Sequence, residues 1–306
     1  MAIYQIIILI IMFIINSKIT KYINRIDNEK DTNPYYSTSL KEKLLFMRHG
    51  RTYFNSDKKR SARNINPKYI DSKLNEKGIK QAIAKQTILN TLTFEQVYVS
   101  PFYRTLQTLT YSLSTHPNKD NIIAIVHPLV GEITNCINDY MLDIKQNKRD
   151  FNMNSLIKID WSLFDEYVKG IKYDENFFYF ENFDCFDEKE KNEMYLKLKG
   201  FYDSGNMEEL KNGLSGLATL RFRDKKRFES LRHLQGRFQK FKDFIKEKHK
   251  NTLNDKDKKI LVISHSSYMT SGTNMTPYES ETIQKFHPSC HNPRNCEIFS
   301  YKLLNN

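Results

Sequence analysis

The sequence predicts an α/β fold in which a mostly parallel central sheet is interrupted by an inserted cap region. Short β-branched apolar runs alternate along the chain with longer stretches of helical periodicity, which is typical of such sheets. Polar side chains follow directly where several of these runs end. Weak periodicity and many aromatic residues across residues 140 to about 225 predict the cap. We therefore expect one domain over residues 43–306 that contains this insertion.

The predicted strands are short apolar runs bounded by polar or turn-forming residues. They cover residues 44–47, 96–100, 122–126, 259–264 and 297–303. Two helices are predicted between the early strands, over residues 75–90 and from residue 102 to about 113, with Pro101 as a first-turn residue of the second. Strand, helix, strand order of this kind favours parallel pairing with crossover connections.

The N-terminal 26 residues are predicted to be a signal peptide or a signal anchor, and residues 27–42 a polar linker. Residues 6–15 form an unbroken apolar run. A bilayer-spanning helix needs about 20 apolar residues, whereas a signal-peptide core needs about 7–15. Whether the segment is cleaved stays open, as does a buried N-terminal strand or helix. We expect a protein of the secretory pathway, membrane-anchored through this segment or secreted, rather than a cytoplasmic one.

The net charge of +12 comes from 48 Lys and Arg against 36 Asp and Glu, and it is concentrated. Residues 221–250 hold a net +8, and apolar residues recur there at spacings of three and four from Leu231 to Ile245. This pattern predicts an amphipathic helix with a solvated basic face; a polyanion or anionic-lipid surface is the alternative. This basic stretch lacks the interleaved aromatic platform on which bases would stack, so nucleic acid is not expected as a partner.

The four cysteines are too sparse for a disulfide scaffold and show no metal-ligand spacing. Cys290 and Cys296 are close enough along the chain to form a bridge, but the sequence leaves that pairing open. Neither a metal site nor a disulfide framework is therefore predicted from cysteine usage.

Five polar residues lie at or just beyond the ends of predicted elements: Arg48, His49, Arg104, Glu132 and His265. In open α/β sheets, ligands bind outside the carboxyl ends of the strands, so these side chains are expected to meet at one edge. Two histidines, two arginines and one carboxylate are the set that a phosphoryl-transfer site without a metal requires.

Each residue type has a separate chemical reason to be there. Arginine guanidinium groups match the oxygens of a phosphomonoester in bidentate geometry. A neutral imidazole is a competent nucleophile near neutral pH, and two nearby arginines would depress the pKa of His49 and favour that form. A second histidine can stabilise the charge of the transferred group, and a carboxylic acid can protonate the leaving alkoxide.

Several sequence blocks carry a family resemblance. Leu-Leu-Phe-Met-Arg-His-Gly-Arg-Thr-Tyr-Phe-Asn at residues 44–55 is similar to the Arg-His-Gly signature of the histidine phosphatase superfamily. Asp-Ser-Lys-Leu-Asn-Glu-Lys-Gly-Ile-Lys-Gln-Ala at 71–82 and Ser-Pro-Phe-Tyr-Arg-Thr-Leu-Gln-Thr at 100–108 resemble its next blocks. Val-Ile-Ser-His at 262–265 matches the second histidine strand. The resemblance covers residues 43–135 and 228–303, and it implies a phosphoglycerate mutase-like three-layer sandwich with helices on both faces.

The resemblance also implies roles. His49 would be the phosphorylated nucleophile, and Glu132 in Pro-Leu-Val-Gly-Glu would be the general acid, with Asp139 as a nearby competitor. The phosphate-binding residues it implies are Arg48, Arg104, His265 and Asn55. No metal and no cofactor are implied.

Two departures from the family pattern bear on function. Ser266-Ser267 stands where the family often has two glycines after the second histidine, although serine still offers a backbone N–H. The Glu-Arg-x-Tyr-Gly block typical of phosphoglycerate mutases is absent, which favours a phosphatase. We therefore predict a metal-independent phosphomonoester hydrolase that acts through a phosphohistidine.

Two alternatives stay open: a phosphoglycerate-mutase-type phosphotransferase, and a non-catalytic, membrane-tethered protein that binds phosphorylated ligands. The expected partner is a small phosphorylated substrate or a phosphopeptide. A phosphopeptide, a sugar phosphate and an inositol phosphate all remain candidate substrates. The cap, where specificity is expected, carries the least resemblance.

Overall fold

The computed structural model describes residues 36–223, 228–272 and 292–303. The predicted signal peptide or anchor at residues 1–26 lies outside the described residues, as does Cys290 of the possible cysteine pair. Among the helices that the structure describes, none combines the length and the hydropathy that a membrane span requires.

A seven-stranded sheet forms the centre of the described chain, in the spatial order β1-β7-β2-β6-β3-β4-β5. Neighbours from β2 to β5 in that order pair in parallel, whereas β7 is antiparallel to both β1 and β2. The strands are β1 (Tyr36–Ser37), β2 (Leu44–Arg48), β3 (Thr93–Val99), β4 (Ile123–Val126), β5 (Lys158–Asp160), β6 (Lys258–Ser264) and β7 (Ile298–Tyr301).

Helices connect the strands and cover the sheet. In chain order within the described residues they are α1 (Tyr53–Ser56), α2 (Arg60–Arg63), α3 (Glu76–Ile83), α4 (Gln86–Leu89), α5 (Tyr103–Leu113), α6 (Ile144–Asn154), α7 (Ser162–Lys169), α8 (Glu188–Asp203), α9 (Met207–Arg223), α10 (Leu231–Lys248) and α11 (Ser266–Gly272). Short 3-10 turns cover Pro67–Tyr69, Lys119–Asn121, Pro128–Val130, Ile137–Asp139 and Glu175–Asn182.

Alternating side chains on the strands divide the core into two layers, because successive residues of a strand point to opposite faces. Leu45 and Met47 of β2 pack in one cluster with the apolar face of α5 and with the aromatic residues of the cap. Leu44 and Phe46 pack in a second cluster with α10 and α11. The predicted three-layer α/β architecture, with helices on both faces of a mostly parallel sheet, is therefore confirmed.

The cap packs as part of the first layer. Its centre is an aromatic cluster in which Phe180 lies within 4.5–6.3 Å, between ring centroids, of five other rings. These rings belong to Tyr173, Phe177, Tyr179, Phe183 and Tyr195. The cap also supplies β5, the edge strand that pairs with β4.

Several predicted boundaries differ from the structure. Residues 36–37, within the predicted linker 27–42, form β1 and pair with β7 at the sheet edge. The predicted helix over 75–90 is two helices, α3 and α4, which the sequence does not separate by any glycine or proline. Pro101 precedes the next helix, since Phe102 is its N-cap.

The predicted amphipathic helix is α10, and its apolar stripe is buried as expected. Two of its basic residues nevertheless face inward: Arg237 is 4% exposed and Lys242 is 8% exposed. The expectation that the basic residues of this helix all point to solvent is wrong, because Arg237 has a buried carboxylate partner in Glu229.

Candidate active site

The two histidines lie next to each other because their strands are adjacent and parallel. Arg48, at the end of β2, is in register with Ser264, at the end of β6. His49 follows the first and His265 the second, and the His49 N–H donates to the Ser264 carbonyl at 3.0 Å. The two imidazole rings are buried, with their centroids 5.3 Å apart.

His49 is held in a defined tautomer. Its Nδ1 lies 2.7 Å from the Gly50 carbonyl oxygen, which can only accept, so Nδ1 carries the proton. The lone pair therefore resides on Nε2. Burial lowers the pKa of His49 well below its ordinary value, and the nearby charges of Arg104 and Arg48 lower it further. The ring is neutral and able to act as a nucleophile at physiological pH.

His265 also has both ring nitrogens engaged. Arg104 Nε donates to its Nδ1 at 3.2 Å, so the proton resides on Nε2, which lies 2.8 Å from the Ser100 hydroxyl. Burial, followed by the charge of Arg104, lowers the pKa of His265 well below its ordinary value. In this arrangement His265 orients Arg104 and packs beside His49.

Arg48 keeps hydrogen-bonding capacity for an anion. Its Nη1 donates to the Pro293 carbonyl at 2.8 Å. Its Nε is buried and has no hydrogen-bond partner within the described part of the chain. An unpaired buried donor is costly, so this guanidinium is suited to an incoming oxyanion.

Arg104 is fully buried, and each of its three nitrogens has a protein partner. Besides the bond to His265, Nη1 donates to the Asn138 carbonyl at 2.7 Å, and Nη2 donates to Asp139 Oδ1 at 3.3 Å. A second carboxylate, Asp71, lies 3.9 Å from Nη1. Two of the five guanidinium N–H groups remain for a ligand.

Glu132 lies in the loop after β4, against the backbone that follows the second histidine. Its Oε1 accepts from the Ile133 N–H at 2.9 Å, and its Oε2 lies 3.5 Å from the Ser267 N–H. The backbone N–H expected from the Ser266-Ser267 pair is therefore directed towards Glu132. The side chain is half-buried.

A buried ion pair holds the Glu132 loop in place. Arg237 on α10 donates from Nε and Nη2 to the Glu229 carboxylate at 2.7 and 3.1 Å. The same guanidinium donates to the carbonyls of Leu129, Gly131 and Glu132. Burial alone would raise the pKa of Glu229, but the Arg237 charge and hydrogen bonds hold it below the ordinary value.

Asp139, the competitor for the acid role, lies on Arg104. Its Oδ2 accepts from the backbone N–H groups of Asn135 and Cys136 at 3.3 and 3.1 Å, while its Oδ1 accepts from Arg104. Burial raises its pKa to about 7, against the opposing effect of the Arg104 charge. Both oxygens are thus engaged by the protein.

Asn55 has a local role in the structure. Its Oδ1 accepts from the N–H and the hydroxyl of Thr52, and its N–H donates to the Thr52 hydroxyl, which forms a capping box on α1. No described contact joins Asn55 to the histidines, so its contact with phosphate remains a prediction.

Two glycines bring the first histidine loop against α3. A Cβ on Gly50 would lie 2.6 Å from the Gly78 carbonyl oxygen, and a Cβ on Gly78 would overlap the Arg51 backbone. Only glycine allows two backbones to approach this closely. The glycines of two separate motif blocks therefore have one shared structural cause.

Three further motif residues connect separate segments of the chain through hydrogen bonds between their side chains and backbone amides. Thr108 Oγ1 accepts from the Gly50 N–H at 3.0 Å, and Gln81 Oε1 accepts from the Arg51 N–H at 3.0 Å. Gln107 Oε1 accepts from the Leu74 N–H at 2.7 Å. The sequence motifs contain these residues but do not reveal that each one holds a backbone amide, two of them in the loop directly after His49.

The structure thus brings together Arg48, His49, Arg104 and His265, and it places Glu132 on the loop against Ser267. Sequence reasoning missed the roles of Ser100, Glu229 and Asp71 in this arrangement. The Glu229–Arg237 ion pair that holds the Glu132 loop is called the clamp below. Its available signal is an acid and a base eight residues apart, which is weak without the fold. In the described ranges, no three His, Cys, Asp or Glu side chains are grouped to hold a metal ion.

Several solved structures are similar to the chain. A phosphoglycerate mutase from Bacillus anthracis is 15% identical, covers 85% of this chain and 90% of its own, and has a TM-score of 0.40. A mycobacterial glucosyl-3-phosphoglycerate phosphatase is 12% identical at 83% and 88% coverage, with a TM-score of 0.43. An ecdysone phosphate phosphatase from Bombyx mori is 13% identical at 83% and 86% coverage, with a TM-score of 0.41. Identities of 12–15% and TM-scores of 0.40–0.43 indicate neither the substrate nor the reaction of this chain.

No curated protein sequence matches the chain. A family model, described as the histidine phosphatase superfamily (branch 1), matches residues 44–127, the stretch that contains Arg48, His49 and Arg104. This match supports phosphatase or mutase chemistry at the level of the superfamily and names no substrate. The resemblance predicted from the motifs is confirmed over residues 44–127, which match the model of the histidine phosphatase superfamily (branch 1).

Proposed function

We propose that the protein is a phosphomonoester hydrolase that works through a phosphohistidine on His49. The single observation that carries this proposal is the state of that imidazole. It is neutral, its Nδ1–H is fixed by the Gly50 carbonyl, and the lone pair stays on Nε2 of a ring that packs beside His265 under the influence of the Arg104 and Arg48 charges. The proposed substrate is a small phosphorylated molecule or a phosphopeptide.

In the first step, His49 Nε2 attacks phosphorus and the P–O ester bond breaks. The leaving oxygen takes a proton from the carboxylic acid form of Glu132. The donors of Arg48 and Arg104 stabilise the charge on the three transferring oxygens as the group flattens. Asn55 Nδ2 is proposed to contact one of these oxygens or the ester oxygen.

In the second step, a water molecule attacks the phosphorus of the phosphohistidine. The Glu132 carboxylate accepts the proton of that water, the P–N bond breaks, and phosphate leaves with His49 neutral again. No metal is used in either step of the proposed reaction, because the arginines supply the positive charge. The half-buried position of Glu132 supports its access to both the leaving group and water.

The test is hydrolysis of p-nitrophenyl phosphate by His49→Ala. We expect kcat to fall by at least about a thousandfold, since the variant lacks the nucleophile. His116→Ala is the matched control, because His116 is equally buried and its ring nitrogens bond to the Leu92 carbonyl and the Asn118 N–H instead of to residues of the site. Full activity in His49→Ala would remove the proposal.

A second measurement separates hydrolase from mutase. Rapid quenching with a radiolabelled phosphomonoester should trap an acid-labile label on the wild-type protein and none on His49→Ala. Release of free phosphate, without transfer between monophosphoglycerates, is the expected outcome. Transfer without release would favour the mutase reaction instead.

A further inference from the structure

Asp139 is a buried carboxylate in contact with a proposed phosphate-binding arginine, and the proposed reaction gives it no role. Its side chain is 5% exposed, and its Oδ1 lies 3.3 Å from Arg104 Nη2. The Arg104 side chain is 1% exposed, so water screens the pair little. A carboxylate placed here neutralises charge that an oxyanion substrate would otherwise use.

We infer that Asp139 is a positioning residue that pairs with Arg104 in the substrate-free site and competes with the incoming phosphate for the charge of that guanidinium. The inference rests on the proposed function only in so far as the site binds a tetrahedral dianion. It assigns to Asp139 neither the attack on phosphorus nor the protonation of the leaving group, which belong to His49 and Glu132.

The local charges explain why such competition matters. Arg48 and Arg104 contribute two positive charges, whereas Asp71, Glu132 and Asp139 contribute three negative charges when all are ionised. Each ionised carboxylate then opposes the entry of a dianion. Binding is favoured when at least one of these carboxyls is protonated, because each proton removes one repulsive charge.

The groups that face Asp139 determine when it carries that proton. On its own loop it meets the Cys136 thiol, whose Sγ lies 3.1 Å from Oδ2, and the charge of Glu132. From α5 it meets Arg104, which is itself next to His265 and Asp71. Burial raises the pKa of Asp139 to about 7 and that of Asp71 to about 6, with Arg104 opposing both shifts.

The raised pKa of Asp139 determines how oxyanion affinity changes with pH. Below its pKa, Asp139 is neutral and leaves the Arg104 charge to the ligand; above its pKa, the carboxylate holds that charge. Oxyanion affinity should therefore decrease as pH rises through about 7. The two histidines do not contribute in this range, because their pKa values are well below their ordinary values.

The experiment is calorimetric titration of the full chain with sulfate, a tetrahedral ion that remains a dianion across the pH range used. We expect the Kd of the wild type to rise about tenfold between about pH 6 and about pH 8. For Asp139→Asn, the wild-type to variant ratio of Kd should be near one at the lower pH and about ten at the higher.

Two further variants sharpen the result. Asp120→Asn removes one exposed carboxylate from a surface pair with Lys119 and should leave the pH profile unchanged. Asp71→Asn should remove the weakening near pH 6 while it retains the weakening near pH 7, and it serves as the test if Asp139→Asn does not fold.

Three outcomes would overturn the inference: a flat wild-type profile, a profile in Asp139→Asn that follows the wild type, or weaker sulfate binding by that variant at both pH values. Loss of kcat in Asp139→Asn with unchanged sulfate affinity would instead make Asp139 the acid. An absence of hydrolysis by the wild type with the expected sulfate profile would contradict the proposed function and leave this inference standing.

Discussion

The carboxyl end of the central strands, which carries the two histidines and is called the edge below, and the cap that covers one face of the sheet are stabilised by different kinds of interaction. At this end, Thr108, Gln81 and Gln107 each accept a hydrogen bond from one backbone N–H and hold it in place. In the cap, aromatic rings such as Phe180 and Phe183 pack at a centroid distance of 4.5 Å with few specific polar bonds between them. The comparison shows that positional precision is concentrated where the proposed chemistry takes place.

The largest stability effect is expected from the clamp on the Glu132 loop. Glu229→Gln should lower the free energy of unfolding by about 3–5 kcal/mol, because it leaves Arg237 buried without its carboxylate. It should also lower kcat for p-nitrophenyl phosphate, since Arg237 holds three carbonyls of that loop. Denaturant unfolding and steady-state kinetics measure the two effects.

Glu188→Gln is the control for this variant, because the Glu188 side chain is 72% exposed in its ion pair with Lys191. It should change neither stability nor kcat. An unchanged kcat in Glu229→Gln, at a temperature where the variant is folded, would contradict the idea that the edge is positioned by this clamp.

A smaller loss, of about 3 kcal/mol, is expected for Phe180→Ala in the cap, since the five surrounding rings can relax partly into the space. The kcat for p-nitrophenyl phosphate should stay at the wild-type value, because no ring of this cluster contacts the histidines. Thermal unfolding monitored by circular dichroism, together with kinetics, provides the measurement.

Leu196→Ala, on the exposed side of α8, is the matched control and should leave stability nearly unchanged. If Phe180→Ala reduced kcat as strongly as the clamp variant, cap and edge would not differ in the way described.

The smallest effect is expected for Thr108→Val, which removes the acceptor of the buried Gly50 N–H. The cost should be about 1–2 kcal/mol, with a decrease in kcat, because Gly50 also holds the His49 tautomer through its carbonyl. Thr110→Val, on the same helix, removes a hydroxyl bonded to the Leu106 carbonyl and to Ser155, and it should leave kcat unchanged. Equal kcat values for the two variants would remove the distinction.

The sequence predicts the edge better than the cap for a physical reason. Sharp requirements such as the glycines at 50 and 78, or an arginine in the first turn of α5, leave recognisable residues at fixed spacing. Strand β5, the outermost strand of the sheet on the cap side, is not predicted, because three residues show too little alternation between apolar and polar side chains to be detected. The aromatic residues of the cap indicate burial but not which rings meet.

The charge pairing at the site could not be predicted from the sequence. Arg104 is more than thirty residues away along the chain from both Asp71 and Asp139. Only the folded chain brings the three side chains together. Equally, the pattern of α10 predicts its apolar face correctly but cannot show that Arg237 turns inward to Glu229.

The contact between Gly50 and Gly78 has a mechanical consequence. The two backbones touch with no side chain between them. Any movement of the loop after β2 relative to α3 therefore requires a change of backbone conformation and not only of a side-chain rotamer. Thr108 and Gln81 add bonds across the same junction. The histidine loop and the start of α3 should therefore open as one cooperative unit, so that amide protection at Gly50 and Arg51 reports on a shared local unfolding event.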